Sequence, residues 1–191
     1  MSTTSTRRTT LTRHELFVHA LALLDAEGMD ALTMRRLAAE LGIEAASLYH
    51  HVPGKAALLD GVLALMRSEV TFDEPLPEDW PSLLETVFLR YAEVLMAHPN
   101  LLPLAGRHLD SDPAEGLPHL VERGLSVRDA VDLWQGLMGL TVGFAQFSIR
   151  ALEHSADHLP DDLAGAMGAW TTVTLRRNVR GLIGAYEGAS R

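Results

Sequence analysis

The sequence contains no cysteine among its 191 residues. This absence excludes a disulfide framework, thiolate catalysis, iron–sulfur clusters and zinc held by cysteine, and it fits a reducing cytoplasm. Long apolar runs are also missing. The longest uncharged stretch covers the 17 residues from 133 to 149, whereas a membrane-spanning helix needs about 20 predominantly apolar residues. No apolar core follows the arginines of residues 1–13, so we expect no secretory signal and a cytoplasmic protein.

The motifs of common enzyme classes are missing as well. There is no G-x-S-x-G elbow, no P-loop and no G-x-G-x-x-G sequence. His14 and His19 resemble a zinc-protease motif, but a spacing of five residues does not place both on one helix face. The adjacent His50–His51 pair points about 100° apart on a helix, and the histidines at 154 and 158 lie in an acidic stretch bounded by proline. We expect no catalytic residues, no metal site and no cofactor.

What the sequence does contain is helical periodicity between prolines. Few β-branched residues and no alternating strand pattern occur, so the fold class is predicted to be all-α. The first helix carries an apolar stripe of Leu16, Ala20, Leu23 and Leu24, and Thr33 is a candidate amino-terminal cap of the second. About nine helices are predicted, near 12–27, 33–41, 45–51, 55–70, 82–97, 101–108, 114–124, 126–153 and 163–187.

Residues 33–55 predict a helix-turn-helix. Ala38 is small where the second of two crossing helices must approach, and Gly42 permits the positive φ that a tight turn needs. Ile43, Leu48 and Val52 would anchor the following helix. Its outward face then presents small, hydroxyl, aromatic and imidazole side chains suited to a DNA groove, namely Ala45, Ala46, Ser47, Tyr49, His50 and His51.

Residues 12–66 resemble the DNA-binding domain of the TetR (tetracycline repressor) family of transcription factors. The resemblance is carried by LDAEG at 24–28, LTMR at 32–35, LA at 37–38, LG at 41–42, SLYHHV at 47–52 and K-x-ALLD at 55–60. It implies a DNA-binding domain over 1–66, with a recognition helix at about 45–51. A ligand-binding and dimerisation domain would cover 67–191, where the resemblance is weaker.

The resemblance also implies roles for individual residues. The position of Arg35 reads a guanine edge, and the positions of Tyr49 and Lys55 contact phosphate. Further positions make or border contacts with DNA, and the predicted set is Thr33, Arg35, Ala45, Ala46, Ser47, Tyr49, His50, His51 and Lys55. The namesake of the family has Gln, Pro and Trp at positions 45, 46 and 50, so its operator sequence is not expected here.

A homodimer is implied for the second domain. Its interface would be a four-helix bundle of helices 126–153 and 163–187 from each subunit, and a dimer places two heads one DNA turn apart on a palindromic operator. Gly136, Gly139 and Gly143 are expected to allow close backbone approach on the first helix. An apolar stripe would form on the other from Trp170, Leu175, Val179, Leu182 and Ile183.

The expected effector is an apolar or aromatic small molecule. In tetracycline-binding members of the family, histidines and a glutamate hold a drug–magnesium chelate, but the corresponding positions here are Thr71, Ala105, Gly139 and Phe147. A magnesium–tetracycline site is therefore not expected. The resemblance and helical spacing together predict a lining, with Tyr91 and Thr141 as polar groups, of Val87, Tyr91, Trp134, Leu137, Met138, Thr141, Phe144 and Phe147.

Net charge is unevenly distributed along the chain. Of the formal charge of −9, residues 1–70 account for −1, and cations near the predicted docking side include Arg35, Arg36 and Lys55. The predicted function is a ligand-responsive transcriptional regulator, most simply a repressor, that binds double-stranded operator DNA and no membrane. The alternative is a small-molecule-binding helical protein or enzyme with a vestigial DNA-binding head.

Overall fold

The structure is a computed structural model that describes residues 11–72, 75–105, 117–153 and 172–187. These residues form nine α-helices and one 3-10 helix, and no strand occurs among them, which confirms the predicted all-α class. The helices are α1 (Arg13–Glu27), α2 (Met34–Glu40), α3 (Ala45–Leu48), α4 (Lys55–Ser68), α5 (Trp80–Ala97), the 3-10 helix (Pro99–Leu101), α6 (Leu102–Ala105), α7 (Leu117–Glu122), α8 (Val127–Glu153) and α9 (Thr172–Glu187).

Backbone contacts divide the chain into two units, Met1–Leu65 and Met66–Arg191. The division falls inside α4, one residue before the boundary expected from the sequence. None of the described helices combines the length and apolar character that crossing a membrane requires.

In the first unit, side-chain caps fix where the helices begin. Thr12 precedes α1 and accepts a hydrogen bond from the backbone N–H of Glu15 at 3.1 Å, while the Glu15 carboxylate accepts one from the backbone N–H of Thr12 at 2.8 Å. This reciprocal pair satisfies two amide groups that a helix start leaves without partners. The same bonds hold the pKa of Glu15 below its ordinary value. Thr33 caps α2, as predicted, by accepting from the N–H of Arg36 at 3.0 Å.

Two apolar stripes build the core of this unit. The predicted stripe of α1 is buried, and so is that of α4, where Leu58, Val62 and Leu63 are almost inaccessible. Gly61 lies on α4 against the ring of Phe17 from α1. A methyl group on Gly61 would come within 2.6 Å or less of three ring atoms, so a side chain at this position would force the Phe17 ring to move.

In the second unit, helix α5 begins two residues earlier than predicted. The sequence pattern placed the start of this helix at 82, but α5 begins at Trp80. Asp79 caps it by accepting from the N–H of Ser82 at 2.8 Å, and Pro81 occupies the first turn, where a missing N–H leaves no helical bond unmade. The capping bonds lower the pKa of Asp79.

Helices α5, α8 and α9 enclose the core of the second unit. Phe88 of α5 meets Trp134 of α8 edge to face, with ring centroids 5.2 Å apart, an arrangement that aromatic quadrupoles favour. At the rim, the carboxylate of Glu85 on α5 pairs with Arg176 at 3.3 Å and also with Arg180, so α9 is fastened to α5 by charge as well as by apolar contact.

The stripe assigned to the dimer interface is instead part of this core. Leu175, Val179 and Ile183 are each no more than 3% exposed because they pack against α5 and α8 of their own subunit. Leu182 also packs inward, and Trp170 lies outside the described residues. The interface prediction was wrong for Leu175, Val179 and Ile183, because the apolar face of this amphipathic helix is buried against the core of its own subunit.

The glycines of α8 divide into two kinds. Gly136 faces α9 of the same chain, where an added Cβ would lie 3.1 Å from the Leu182 side chain. Gly139 and Gly143 have open space around the Cβ direction and are exposed. The close approach of α9 within the subunit therefore explains why position 136 is a glycine. Gly139 and Gly143 lie on the outward face of α8, where no such contact occurs.

The contact between α1 and α4 gives the first prediction. Gly61→Ala should destabilise the protein by about 1–3 kcal/mol, because the new methyl group overlaps the Phe17 ring. In a Phe17→Leu background, the same change should be neutral or stabilising, since alanine favours a helix interior over glycine by about 0.5–1 kcal/mol. The free energy of unfolding in urea is measured for the parent, Gly61→Ala, Phe17→Leu and the double variant, which gives the effect of Gly61→Ala in each background. Equal effects in the two backgrounds would contradict the ring contact.

Candidate nucleic-acid interface and ligand-binding residues

The turn between α2 and α3 has the geometry that a helix-turn-helix requires. Gly42 has φ +66°, a left-handed conformation that side chains disfavour. The N–H of Ile43 then donates to the carbonyl of Ala38 at 3.0 Å, and Ala38 is 2% exposed. The small residue and the glycine thus act at the positions that the sequence pattern predicted.

The recognition helix is shorter than expected. The α-helical part is Ala45–Leu48, and the prediction of 45–51 was wrong in its end. After Leu48 the bonds tighten to a three-residue spacing, with the N–H of His50 donating to Ser47 and that of His51 donating to Leu48. The N–H of Val52 still donates to the carbonyl of Leu48 at 3.0 Å, and the helical turns stop at Val52 because the residue before a proline disfavours the helical conformation.

Burial separates the anchors of this segment from its outward face. Leu48 and Val52 are buried, whereas Ala46, Tyr49 and His50 are exposed, with Tyr49 at 53%. The other predicted contacts, Ala45, Ser47 and His51, are half-buried. The exposed phenol of Tyr49 and imidazole of His50 thus offer hydrogen-bonding groups next to small side chains.

The two adjacent arginines of α2 have different surroundings. Arg36 lies 2.6 Å from the carboxylate of Glu27 and 3.8 Å from that of Glu40, and these contacts raise its pKa further. Arg35 is exposed and has no ion pair within the part of the chain that the structure describes. Of these two predicted docking-side cations, Arg35 is therefore the one available to a phosphate or base edge, and Arg36 is already neutralised.

Thr33 and Lys55 both take part in structural hydrogen bonds. The hydroxyl oxygen of Thr33 accepts the capping bond of α2, and the ammonium of Lys55 donates to the carbonyl of Met29 at 3.3 Å. Each group keeps further donor capacity, because a hydroxyl retains its proton and an ammonium has three.

In the second unit, most predicted ligand-lining residues lie in or beside the apolar core. Leu137 and Phe144 are core members, Trp134 and Met138 pack against it, and Val87 is half-buried. Tyr91 and Thr141 are buried polar groups, and burial raises the pKa of the Tyr91 phenol. Phe147 is 37% exposed.

Described residues of the second unit line two cavities. One, of about 500 Å³, contains Phe147 and runs between α8 and the segment 99–103. The other, of about 640 Å³, lies between residues 71–72 and 75–77, α5 and α9, and contains Glu85 and Arg176. Among the predicted ligand-binding residues, Phe147 alone lines either of these two cavities. The proline-rich stretch that walls the larger one was interpreted from sequence as a boundary.

Sequence reasoning also missed Ser148, which is 7% exposed on α8. It lies seven residues after Thr141, and this spacing returns to the same helix face after two turns. The signal was present in the helical period. The pair at 154 and 158 lies outside the described residues, within which no cluster of three metal-ligating side chains occurs.

Comparisons with known proteins agree with this architecture. The family model described as "Bacterial regulatory proteins, tetR family" matches residues 16–62. The class E tetracycline repressor of Escherichia coli is 34% identical over 65% of this chain and 62% of that repressor. For the class D repressor of the same species, the identity is 32% over 76% of this chain and 69% of that repressor. The chain thus aligns with about two thirds of the length of these curated relatives.

A solved structure extends the likeness to nearly the whole chain. The TetR family protein ActR of Streptomyces coelicolor, in complex with actinorhodin, superposes with a TM-score of 0.72 at 26% identity, covering 95% of this chain and 98% of that one. These relatives are regulators and not enzymes, which confirms the prediction of a non-enzymatic protein. With an aligned repressor above 30% identity and a shared two-part helical fold, the chain belongs to the TetR family of bacterial regulatory proteins.

Proposed function

We propose that the protein is a ligand-responsive transcriptional repressor that binds a palindromic DNA operator as a homodimer. The observation that carries the proposal is the surface formed by Arg35, Tyr49 and His50. These side chains are exposed, while the residues beneath them are buried and the neighbouring Arg36 is paired. Repressors of this family are ligand-responsive DNA-binding regulators.

Arg35 is the proposed base-reading residue. A guanidinium presents donors in a planar fork that matches the two acceptors of a guanine edge. Tyr49 and Lys55 would position the head through phosphate contacts, which fix register without reading sequence. Few cations are available in the described part of the head, so specific affinity depends strongly on Arg35.

A homodimer supplies the second half-site. The outward face of α8 contains the exposed Gly139 and Gly143, and no described atom lies within 4 Å of a Cβ built at either position. A helix–helix interface needs such small residues where the backbones approach. A single recognition segment also reads too few base pairs for a specific site.

The proposed effector is an apolar or aromatic molecule held among α5, α8 and their neighbours. The predicted lining is almost wholly apolar, with the buried Tyr91 and Thr141 as polar groups, which is the usual character of a small-molecule site. Magnesium–tetracycline is not proposed, because the residues that would hold it are replaced.

The response would reach the head through α4. This helix runs without interruption from Lys55 to Ser68. Just beyond it, the Glu69 carboxylate lies 3.0 Å from Nε2 of His98, and the Glu69 carbonyl accepts a bond from Arg90. A ligand that favours one arrangement of α5 would therefore bias the carboxyl end of α4, and differential affinity for two arrangements is what allostery requires.

Selection of bound fragments from random or genomic DNA tests the function. Arg35→Ala should weaken binding to the selected operator by about 1–3 kcal/mol and relax preference at one base pair per half-site. The matched control is Arg36→Ala, which removes a neighbouring paired cation and should preserve that preference. Failure to enrich any sequence would favour a ligand-binding protein with a vestigial head.

The oligomeric state is a separate prediction. Light scattering should give about twice the chain mass of 20.9 kDa. Gly139→Glu should shift the mass toward one chain, because it places a charge on the proposed interface while its Cβ meets no described atom of the subunit within 4 Å. Gly54→Glu, at another open glycine, should leave the dimer intact. A monomeric parent protein would refute the palindromic arrangement.

A further inference from the structure

The recognition segment presents an imidazole at the surface of the head. His50 is exposed, and its backbone N–H donates to the carbonyl of Ser47 at 3.3 Å, so the turn fixes the position from which the side chain projects. Among the residues that the structure describes, its imidazole has no hydrogen-bond or ion-pair partner. Both ring nitrogens are therefore available to a partner outside the chain.

The head that carries this imidazole is poor in positive charge. Residues 11–65 contain four cationic and seven anionic side chains, whereas DNA carries a negative charge at every phosphate. Arg36 is already paired with two carboxylates, and Lys55 donates to a backbone carbonyl. Docking on DNA therefore brings phosphates to a surface with few available cations, and an additional positive charge there would strengthen binding.

Histidine is the side chain that can acquire this charge near neutral pH. A phosphate beside an imidazole favours the protonated ring, which donates hydrogen bonds from both nitrogens. If the protonated form binds DNA more tightly, binding is accompanied by proton uptake. Operator affinity is then highest at low pH, and it falls as the pH rises through the range in which the ring loses its proton.

Other charged and titratable groups lie on the same segment, on α2, which packs against α3, and at the start of α4. They are Glu44, Tyr49, His51, Arg35, Arg36, Glu40 and Lys55. Side chains of these types other than histidine do not ordinarily change charge between pH 6 and pH 8. Within this set, the titration of the half-buried His51 must therefore be separated from that of His50.

We propose that His50 binds an operator phosphate as an imidazolium, so that each head takes up a proton when it docks on DNA. The inference rests on the proposed operator binding and adds a proton-dependent contact to it. Arg35 keeps the proposed base contact, which determines sequence preference. His50 instead determines how strongly the affinity for DNA responds to pH, because it supplies a cation that the head otherwise lacks.

The test measures binding of the full chain to its selected operator at pH 6 and pH 8 and at several salt concentrations, by fluorescence anisotropy of labelled DNA. The affinity should be roughly five- to tenfold higher per head at pH 6, as expected when a phosphate strengthens proton binding by the ring about tenfold. The logarithm of the binding constant should also fall more steeply with the logarithm of salt concentration at pH 6, by about 0.9 per head, because one more phosphate is neutralised.

Four variants assign the proton to one ring. His50→Gln should bind at both pH values about as the parent does at pH 8, and it should lose the steeper salt dependence. His50→Arg, which carries a permanent charge, should bind at pH 8 about as tightly as the parent at pH 6. His51→Gln should keep the pH response. His119→Gln, which changes an exposed histidine of the second unit, should behave as the parent does.

A pH response that survives in His50→Gln, or that disappears only in His51→Gln, would overturn the proposal. A change in the selected base preference between the two pH values would also overturn it, because a phosphate contact does not read sequence. A selected operator that the parent binds equally at both pH values refutes this inference alone. A chain that selects no operator at either pH refutes the proposed function together with this inference.

Discussion

The burial of Leu48 holds the recognition segment in shape. A helix of four residues is far below the length at which helices form on their own, so α3 exists because its apolar side is packed against the head and because Gly42 turns the chain into it. The outward residues inherit their positions from this packing. Tyr49 and His50 are presented by a tight turn, and their directions depend on Leu48 and Val52 beneath them.

Acidic neighbours decide which cations remain available. Glu27 and Glu40 occupy Arg36, while Lys55 is partly engaged by a backbone carbonyl. Arg35 differs from Arg36 by one position and therefore by about 100° around α2, which is enough to leave it without a carboxylate. Charge counts over the whole chain conceal this difference, because recognition depends on individual side chains.

Much of the structure of the DNA-binding head could be predicted from the sequence because the patterns that determine it are local. The cap at Thr33, the turn at Gly42 and the stripe from Leu16 to Leu24 each depend on residues within one or two turns of each other. A capping hydroxyl, a glycine with positive φ and a helical apolar stripe each favour one local structure. The resemblance to a known family then placed these elements in one domain.

The second unit was harder to predict because its features depend on distant segments. An apolar stripe on α9 does not itself reveal whether its partner is the same chain or another, and Leu175 and Val179 turned out to pack inward. The end of α3 shifted because hydrogen bonds changed spacing before Pro53. Ser148 was overlooked because a single serine among apolar residues is common in helices. Its burial and the absence of a described hydrogen-bond partner for its hydroxyl are seen only in the structure.

The contact between Gly61 and Phe17 has a consequence for how this sequence can diverge. The two positions share one volume, so position 61 resists a side chain as long as position 17 holds the aromatic ring. A descendant with a side chain at position 61 packs best with a smaller residue at 17, whereas a descendant with glycine at 61 can keep an aromatic ring there. Substitutions at the two positions should therefore be correlated among related proteins, although they lie on different helices and outside the recognition segment.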